Sequence, residues 1–397
     1  MLDIKVRNGD SLWKYSQLFM IPLQLIIDSN PSTNPASLSI GATVKIPGFQ
    51  IINYNIKRGD TLWKLARARN LNVDALYLLN QDKNVLQLQI GDVIRIPRRV
   101  TSAIVRGQQA YSSNLLKRDI ASLESIYPFI RVKNIGTSVL EKPIYEIKIG
   151  NGQKKVHVDA SFHANEWITS PILMTFLNEF VLSLTNGTAI RGVQTLPIYS
   201  DVTISFVPMV NPDGVDLVIE GPPSSVRQKV LSINNGSSDF TGWKANINGV
   251  DLNNQYPAKW ELEKERKEEK APAPRDFPGY KPLSEPEAIV MAELAREENF
   301  DRLLALHTQG QEFYWGYEGL EPPESSLLAE DFERVSGYRS VRYVDSYAGY
   351  KDWFIQEFQN AGFTVELGKG INPLPLSQFN QIYQDVLGIF LVSLYRW

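Results

Sequence analysis

Hydrophobic and polar positions follow two different periods along the larger, C-terminal part of the chain. Short apolar runs, which predict buried strands, occur at 156–161, 202–207, 303–306 and 363–365. Longer segments with an apolar face, which predict helices, occur at 112–125, 172–184 and 382–397. Strands that alternate with helices in this way predict an α/β fold with a mixed, largely parallel sheet flanked by helices.

Side chains with metal-binding or acid–base chemistry stand where three of these predicted strands end. His163 follows the run over 156–161, His307 follows 303–306, and Glu366 follows 363–365. Ligands of such folds gather at the carboxyl ends of the strands. We therefore expect these three residues to meet at one edge of the sheet, although they are far apart in sequence.

The segment His163-Ala164-Asn165-Glu166 places a histidine and a glutamate three positions apart. Both side chains could face one metal ion, and a catalytic zinc site with two histidines and one glutamate keeps its fourth position for water. Taken alone, this short motif competes with a simpler interpretation, a buried core histidine held by hydrogen bonds. A third ligand and a general base must come from later in the chain.

The N-terminal part is an internal repeat with a period of 50 residues, since Gly-Asp-Ser-Leu-Trp at 9–13 returns as Gly-Asp-Thr-Leu-Trp at 59–63. Each copy has a short alternating strand, a Gly-Asp turn, two helical segments and a strand that ends at Ile-Pro. The pattern predicts two βααβ domains, over 2–48 and 51–98, followed by a short polar linker at 98–102.

These two repeats resemble LysM domains in the Gly-Asp-Ser/Thr-Leu-Trp segment, the central Asn and the terminal Ile-Pro. The resemblance implies binding of N-acetylglucosamine-containing glycans, as in peptidoglycan or chitin, by a groove between two loops. The residues that it places in this groove are Asp10, Ser11, Asp60 and Thr61. The alternative is that these side chains only cap the helices that follow them. Two weak modules on one chain gain affinity for a polymer through their effective concentration.

Residues 105–397 resemble the zinc carboxypeptidases of the M14 (carboxypeptidase A-like) family. Seven pieces carry the resemblance and occur in the order of that family: Ile135-Gly136-Thr137-Ser138, His163-Ala164-Asn165-Glu166, Asn211-Pro212-Asp213-Gly214, Gly249-Val250-Asp251-Leu252-Asn253, Ser284-Glu285-Pro286-Glu287, His307, and Thr364-Val365-Glu366-Leu367.

The resemblance implies a role for each matching residue. His163, Glu166 and His307 would bind one Zn²⁺. Glu366 would act as the general base and then the general acid, taking a proton from the attacking water and returning it to the leaving amine. Asp251 would accept a hydrogen bond from the ring of His163 and set its tautomer.

The chain departs from the family pattern at two positions that face the substrate. Asn253-Asn254 stands where typical members have Asn-Arg, and Trp243-Lys244 stands where they have an arginine after the tryptophan. Lys244 could still stabilise an oxyanion as a point charge. The loss of the arginine at 254 argues against a requirement for a free carboxylate beside the cut bond.

The catalytic tyrosine of the family has two candidates in this sequence, because Val344-Asp345-Ser346-Tyr347-Ala348-Gly349-Tyr350 precedes Lys351. We take Tyr347 as the catalytic residue and keep Tyr350 as the rival, with core packing as the simpler interpretation of both. The charged run at 259–270 is interpreted as a solvated surface segment without a role in a site.

Composition and charge argue against several classes of function and site. The formal charge of −3 argues against a nucleic-acid partner, and the lack of cysteine excludes disulfides and thiolate ligands. We recognise no signal peptide and no apolar run that could span a membrane, and we expect a cytoplasmic or a spore- or cell-wall-associated protein.

The two resemblances together point to the subgroup that joins two LysM units to the peptidase, the γ-D-glutamyl-L-diamino acid endopeptidases of spore-forming bacilli. They imply a metallopeptidase that cuts between γ-D-glutamate and meso-diaminopimelate in peptidoglycan stem peptides while the LysM units hold the glycan. Two alternatives remain at this point: a general metallocarboxypeptidase with a cell-wall anchor, and a non-catalytic peptidoglycan-binding protein.

Overall fold

The computed structural model describes residues 2–397, which form two compact units. The first unit contains the described residues up to Ile104 together with Asp119–Arg131 and Asn178–Leu196. The second unit contains Val105–Arg118, Val132–Leu177 and Pro197–Trp397. Two segments that the sequence analysis gives to the large domain therefore pack within the first unit.

The N-terminal repeat forms two βααβ domains, as predicted. The first contains β1 (Leu2–Lys5), α1 (Leu12–Phe19), α2 (Leu23–Asp28) and β2 (Thr43–Ile46). The second contains β3 (Phe49–Asn55), α3 (Leu62–Arg67), α4 (Val73–Leu79) and β4 (Val93–Arg99). In each copy the two strands pair antiparallel, β1 with β2 and β3 with β4.

The stretch predicted as a polar linker is partly strand, because β4 continues through Arg98 and Arg99. The guanidinium group of Arg99 donates to the carbonyl of Thr185 at 2.6 Å and also to that of Phe19. The next residue, Val100, is buried and donates its N–H to Gly48 O. The first part of the predicted linker is therefore held within the first unit, because its main-chain and guanidinium groups find partners there.

The rest of the chain alternates strands and helices. The strands are β5 (Arg131–Thr137), β6 (Pro143–Ile149), β7 (Lys154–Ala160), β8 (Ala189–Ile190), β9 (Val193–Gln194), β10 (Val202–Val207), β11 (Arg302–His307), β12 (Glu312–Tyr314), β13 (Arg339–Val341) and β14 (Ala361–Glu366). The helices are α5 (Ser113–Ile126), α6 (Thr169–Asn186), α7 (Thr195–Asp201), α8 (Pro212–Glu220), α9 (Arg227–Ile233), α10 (Trp260–Arg266), α11 (Pro286–Glu298), α12 (Glu324–Ser336), α13 (Tyr350–Phe358) and α14 (Phe379–Tyr395). Short 3₁₀ turns occur at Ala164–Glu166, Leu252–Asn254 and Leu376–Gln378.

Eight of these strands form one sheet in the order β13-β12-β14-β11-β7-β10-β6-β5. Strands β14, β11, β7 and β10 run parallel, whereas β6 and β12 pair antiparallel with β10 and β14. Every residue of the central strand β11 is buried, as expected for a parallel strand covered on both faces. The predicted mixed, largely parallel sheet flanked by helices is confirmed.

Helices cover the sheet with apolar side chains. Phe176 of α6 contacts Phe206 of β10 and stacks on Phe390 of α14, with ring centroids 6.2 Å and 4.6 Å apart. Met291 of α11 and Phe354 of α13 belong to a second buried cluster that includes strand residues. Among the described residues, no helix combines the length and the apolar character needed to cross a bilayer.

Candidate metal centre

Three adjacent strands of the sheet bring the predicted site residues to one edge. Strand β11 ends at His307 and β14 ends at Glu366, and these two residues are register partners in the parallel pair. Strand β7 lies on the other side of β11 and leads, three residues after Ala160, to His163. The turn Ala164–Glu166 then directs Glu166 back towards His163. The topology therefore assembles the group from parts of the chain that are distant in sequence.

The side chains of His163, Glu166 and His307 converge on one point, and all three are buried. His163 Nδ1 lies 2.9 Å from Glu166 Oε1, and His307 Nδ1 lies 3.0 Å from Glu166 Oε2. The two Nδ1 atoms are 3.1 Å apart. Ligand atoms about 2.0–2.1 Å from a tetrahedral zinc ion would be about 3.3 Å from one another, so the observed spacing fits this ion after a small expansion.

The chemistry of this group also fits a cation. Two ring nitrogens that face each other and a carboxylate present three lone pairs to the same space. His163 Nε2 lies 3.2 Å from Asp251 Oδ1, which favours the tautomer that leaves Nδ1 free as a ligand. The residues present therefore suit zinc, which the sequence analysis expected at this place.

The pKa values of the three groups in the centre shift in different directions. Burial opposes the charge of Glu166, but His163 and His307 outweigh it and hold the pKa of Glu166 below its ordinary value. The pKa of His163 is raised because the carboxylates of Glu166 and Asp251 outweigh its burial. Burial lowers the pKa of His307.

Glu366 lies at the wall of a cavity of about 190 Å³ beside these three residues. Loss of contact with bulk water raises the pKa of Glu366 to about 8, and the nearby Glu166 carboxylate adds to the effect. A carboxylate with a pKa near neutrality can both accept and release a proton under physiological conditions. This is the property that the predicted general base requires.

Lys244, Asn253 and Asn254, which were predicted to face the substrate, line the same cavity, and so does Asp251, the predicted partner of His163. Lys244 Nζ lies 3.0 Å from Asp251 Oδ2 and 3.5 Å from Asp276. These two carboxylates, with Glu166, outweigh burial and raise the pKa of Lys244, so the amine stays cationic.

The tyrosine candidates from the sequence do not reach this cavity. The ring of Tyr347 lies against Lys259 and Arg266, at 5.4 Å and 5.6 Å from its centroid, and lines a neighbouring surface pocket. Tyr350 is fully buried and donates to Met291 O. Tyr314 is the tyrosine that lines the cavity. In this structure packing against two cations holds the ring of Tyr347 outside the cavity, and a catalytic role for Tyr347 stays a prediction.

The predicted glycan-binding residues all have partners within their own domains. Ser11 Oγ and Thr61 Oγ1 accept the N–H groups of Lys14 and Lys64 and cap α1 and α3. The Asp10 carboxylate is buried and accepts hydrogen bonds from Arg7, Lys14 and Tyr15. Asp60 accepts from Lys57 N–H and Tyr54 Oη. The capping alternative thus describes Ser11 and Thr61, while contact of the four residues with a glycan remains a prediction.

Several residues that line the cavity were not predicted from the sequence. Lys267 belongs to the charged run interpreted as a surface segment, yet it faces the cavity and lies 3.2 Å from Glu263. Tyr314, Lys351 and Asp352 had no predicted role, yet all three line the cavity. A useful signal was available for the last two, because adjacent opposite charges interrupt an otherwise aromatic segment before Trp353 and Phe354.

Comparisons with known proteins agree with this geometry. The zinc carboxypeptidase family model (Peptidase_M14) matches residues 116–387, and the LysM domain model matches 4–47 and 54–97. Gamma-D-glutamyl-L-diamino acid endopeptidase 1 of Lysinibacillus sphaericus is 60% identical over 396 residues, 99% of this chain and 100% of that protein. The uncharacterised protein YqgT of Bacillus subtilis is 46% identical over 303 residues, 75% of this chain and 80% of that protein.

Solved structures share the fold of the larger part. Bovine thrombin-activatable fibrinolysis inhibitor, in complex with tick carboxypeptidase inhibitor, matches with a TM-score of 0.56 and 19% identity, covering 72% of this chain and 96% of that chain. Carboxypeptidase A from Helicoverpa armigera matches with a TM-score of 0.56 and 17% identity, covering 72% and 73%. The matched family models and the extent of identity show that this chain is a member of the zinc carboxypeptidase family and carries two LysM domains before its peptidase part.

Proposed function

We propose that the protein is a zinc metallopeptidase that hydrolyses the bond between γ-D-glutamate and meso-diaminopimelate in peptidoglycan stem peptides. The observation that supports it most is the convergence of His163, Glu166 and His307 within 2.9–3.1 Å, next to Glu366. These three residues would hold one Zn²⁺ per chain. The relative with 60% identity bears the name of this activity, which supports the substrate.

Each of the protein's own groups in the site has a separate role in hydrolysis. A zinc ion, when bound, supplies a Lewis acid that polarises the scissile carbonyl and acidifies water. Glu366 takes the proton from the attacking water and returns it to the nitrogen of the leaving diamino acid. The Asp251 carboxylate holds the ring of His163 in the tautomer that leaves Nδ1 available.

Lys244 supplies positive charge where the carbonyl oxygen becomes negative. Its ammonium group stays cationic between Asp251 and Asp276 and faces the cavity. A charge placed there before the reaction favours the transition state over the neutral ground state. Asn253 and Asn254 offer neutral polar groups for the peptide beside the cut bond, in keeping with an endopeptidase.

The LysM domains support a wall-bound polymer as the partner. Domains of this type on the same chain as the peptidase would hold the glycan and raise the local concentration of stem peptides. We therefore place the protein's action at the cell wall or spore, or on wall fragments in the cytoplasm.

A substrate comparison with the purified full-length protein tests the proposal. We expect hydrolysis of L-Ala-γ-D-Glu-meso-diaminopimelate, with release of diaminopimelate, and much slower hydrolysis of an ordinary peptide with a free C-terminal residue. A zinc content near one ion per chain and loss of activity with a chelator would accompany this. Preference for the ordinary peptide would make the protein a general carboxypeptidase. Zinc-free, inactive protein that binds peptidoglycan would make it a non-catalytic wall-binding protein.

A further inference from the structure

Besides Lys267, the cavity beside the metal centre has a pair of adjacent charged residues that the proposed chemistry does not use. Lys351 and Asp352 lie in the first turn of α13 and line the cavity together with Glu366 and Lys244. Their side chains are only 4% and 5% exposed. Both groups belong to the second unit, as does the whole lining of this cavity.

The two side chains form a close but incompletely satisfied ion pair. Lys351 Nζ lies 2.5 Å from Asp352 Oδ1 and donates to Gly316 O at 3.0 Å. Asp352 Oδ1 accepts no well-directed hydrogen bond among the described residues. Asp352 Oδ2 lies beside Gly349, where an added Cβ would come within 2.9 Å of it. Gly349, which also lines the cavity, therefore places no side chain against this oxygen.

A buried ion pair of this kind contributes little net free energy to the stability of a helix. Desolvation of two charges offsets much of their attraction, and apolar side chains of similar volume often stabilise as well or better. The rest of the first turn of α13 is indeed apolar, with Trp353 and Phe354 fully buried. Charges at this position are therefore better explained by a ligand that carries complementary charges.

The pair is linked to the metal centre through Asn253. The Asn253 side chain accepts the N–H of Tyr350, next to Lys351, at 2.9 Å. The main-chain N–H of Asn253 donates to Asp251 Oδ1 at 3.1 Å, and the same oxygen faces His163. This wall of the cavity therefore leads from the metal centre to the Lys351–Asp352 pair.

From this arrangement we infer that Lys351 and Asp352 recognise the far end of the diamino acid that follows the cut bond. In diaminopimelate that end carries one carboxylate and one ammonium group. Lys351 binds the carboxylate, and Asp352 binds the ammonium group. The inference rests on the proposed function and goes beyond it. The pair would select diamino acids that have a distal carboxylate over lysine, which has only the distal ammonium group.

Three peptides that differ only at the residue after γ-D-glutamate test the inference: L-Ala-γ-D-Glu followed by meso-diaminopimelate, L-lysine or L-norleucine. In the full-length zinc-loaded protein, Lys351→Met should lower kcat/KM for the diaminopimelate peptide by roughly 10- to 100-fold, the range of one lost charged hydrogen bond. It should leave the lysine and norleucine peptides within about threefold. Asp352→Asn should weaken the diaminopimelate and lysine peptides but not the norleucine peptide.

Lys148→Met is the matched control, because it removes a lysine that pairs with Glu298 at 2.5 Å and does not line the cavity. It should leave the ratio among the three peptides unchanged. If a single variant fails to fold, the double variant Lys351→Met/Asp352→Asn, which leaves no charge without its partner, should lose the discrimination among the peptides.

An equal fall on all three peptides with zinc retained would overturn the inference and make the pair structural. Unchanged ratios in folded variants would overturn it as well. Wild-type protein that cleaves none of the γ-D-glutamyl peptides would instead reject the proposed function, and the inference with it, so the two failures are distinguishable.

Discussion

Glu166 and Glu366 are carboxylates at the same edge of the sheet, yet their surroundings shift their pKa values in opposite directions. Two histidines outweigh the burial of Glu166 and keep it charged, as a metal ligand must be. Glu366 has burial and a neighbouring negative charge, which raise its pKa to about 8. Such divergence between two similar groups is how enzymes divide acid–base roles.

Replacement of Glu366 by glutamine should separate catalysis from metal binding. Glutamine has nearly the same shape but cannot take a proton, so kcat/KM on the diaminopimelate peptide should fall by roughly 10²- to 10⁴-fold. Zinc content, measured by elemental analysis, should stay near one ion per chain. Glu312 is the antiparallel register partner of Glu366, accepts a hydrogen bond from Tyr314 and pairs with Arg339. Glu312→Gln is therefore the control and should change the rate only a few-fold. Full activity in Glu366→Gln would exclude Glu366 as the base.

At the scale of the element, the start of α11 depends on a carboxylate buried among loops. Glu287 stands in the first turn of this helix and accepts hydrogen bonds from Val139 N–H and from Asn246, each at 3.2 Å. Burial outweighs these bonds and raises the pKa of Glu287 to about 7. The helix start is thus best stabilised when this group carries a proton.

This shift predicts the sign of a pH effect on stability. Between the ordinary pKa of 4.5 and the folded-state value near 7, the folded protein keeps the proton that the unfolded chain releases. The contribution of Glu287 is therefore complete below the lower value and is lost as pH rises through the window. Glu287→Gln, which mimics the protonated form, should gain on the order of 3 kcal/mol relative to the wild type between those limits, measured by urea unfolding from pH 4.5 to 8.

Glu298 near the other end of α11 provides the control for this measurement. Its pairing with Lys148 and Lys155 outweighs burial and lowers its pKa. Glu298→Gln should therefore destabilise the protein by an amount that hardly changes between pH 5 and 8. A difference between Glu287→Gln and the wild type that stays flat over this range would show that Glu287 is charged in the folded protein.

At the scale of the whole molecule, the two LysM domains contact each other through an ion pair. The guanidinium group of Arg7 in the first domain donates twice to the Asp74 carboxylate in the second, each time at 2.7 Å. Gln81 adds a hydrogen bond to Lys5 O at 3.0 Å. These contacts fix the direction in which the two domains present their surfaces to a polymer.

Loss of this pair should weaken polymer binding without touching the chemistry. Asp74→Asn leaves Arg7 its bonds to Asp10 and should reduce the free energy of unfolding by about 1 kcal/mol or less, since the pair is partly exposed. Binding to insoluble peptidoglycan in a pull-down should fall several-fold, while kcat/KM on the soluble tripeptide stays the same. Asp82→Asn removes a pair within the second domain and should leave both unchanged. Equal polymer binding by both variants would mean that the domains act independently.

Short-range patterns in the sequence were sufficient to predict the features whose causes are local. The repeat at an offset of 50 predicted both βααβ domains, because each consists of nearby strands, turns and helix caps such as Ser11 and Thr61. His163, His307 and Glu366 could be expected to meet because each follows a buried run, and parallel strands bring their carboxyl ends to one edge. The sheet itself was predicted from the alternation of short apolar strand runs with longer segments that have a helical apolar face.

Only the tertiary structure decided which side chains line the cavity. Tyr347 and Tyr350 stand three positions apart in the same segment as Lys351, yet the ring of Tyr347 packs on cations and the ring of Tyr350 enters the core. Tyr314, from strand β12, is the tyrosine at the cavity wall. Lys267 and the Lys351–Asp352 pair also belong to that wall, and their positions likewise depend on tertiary packing. The direction of a side chain there depends on how helices and loops pack over the sheet, and those long-range contacts leave no periodic trace in the sequence.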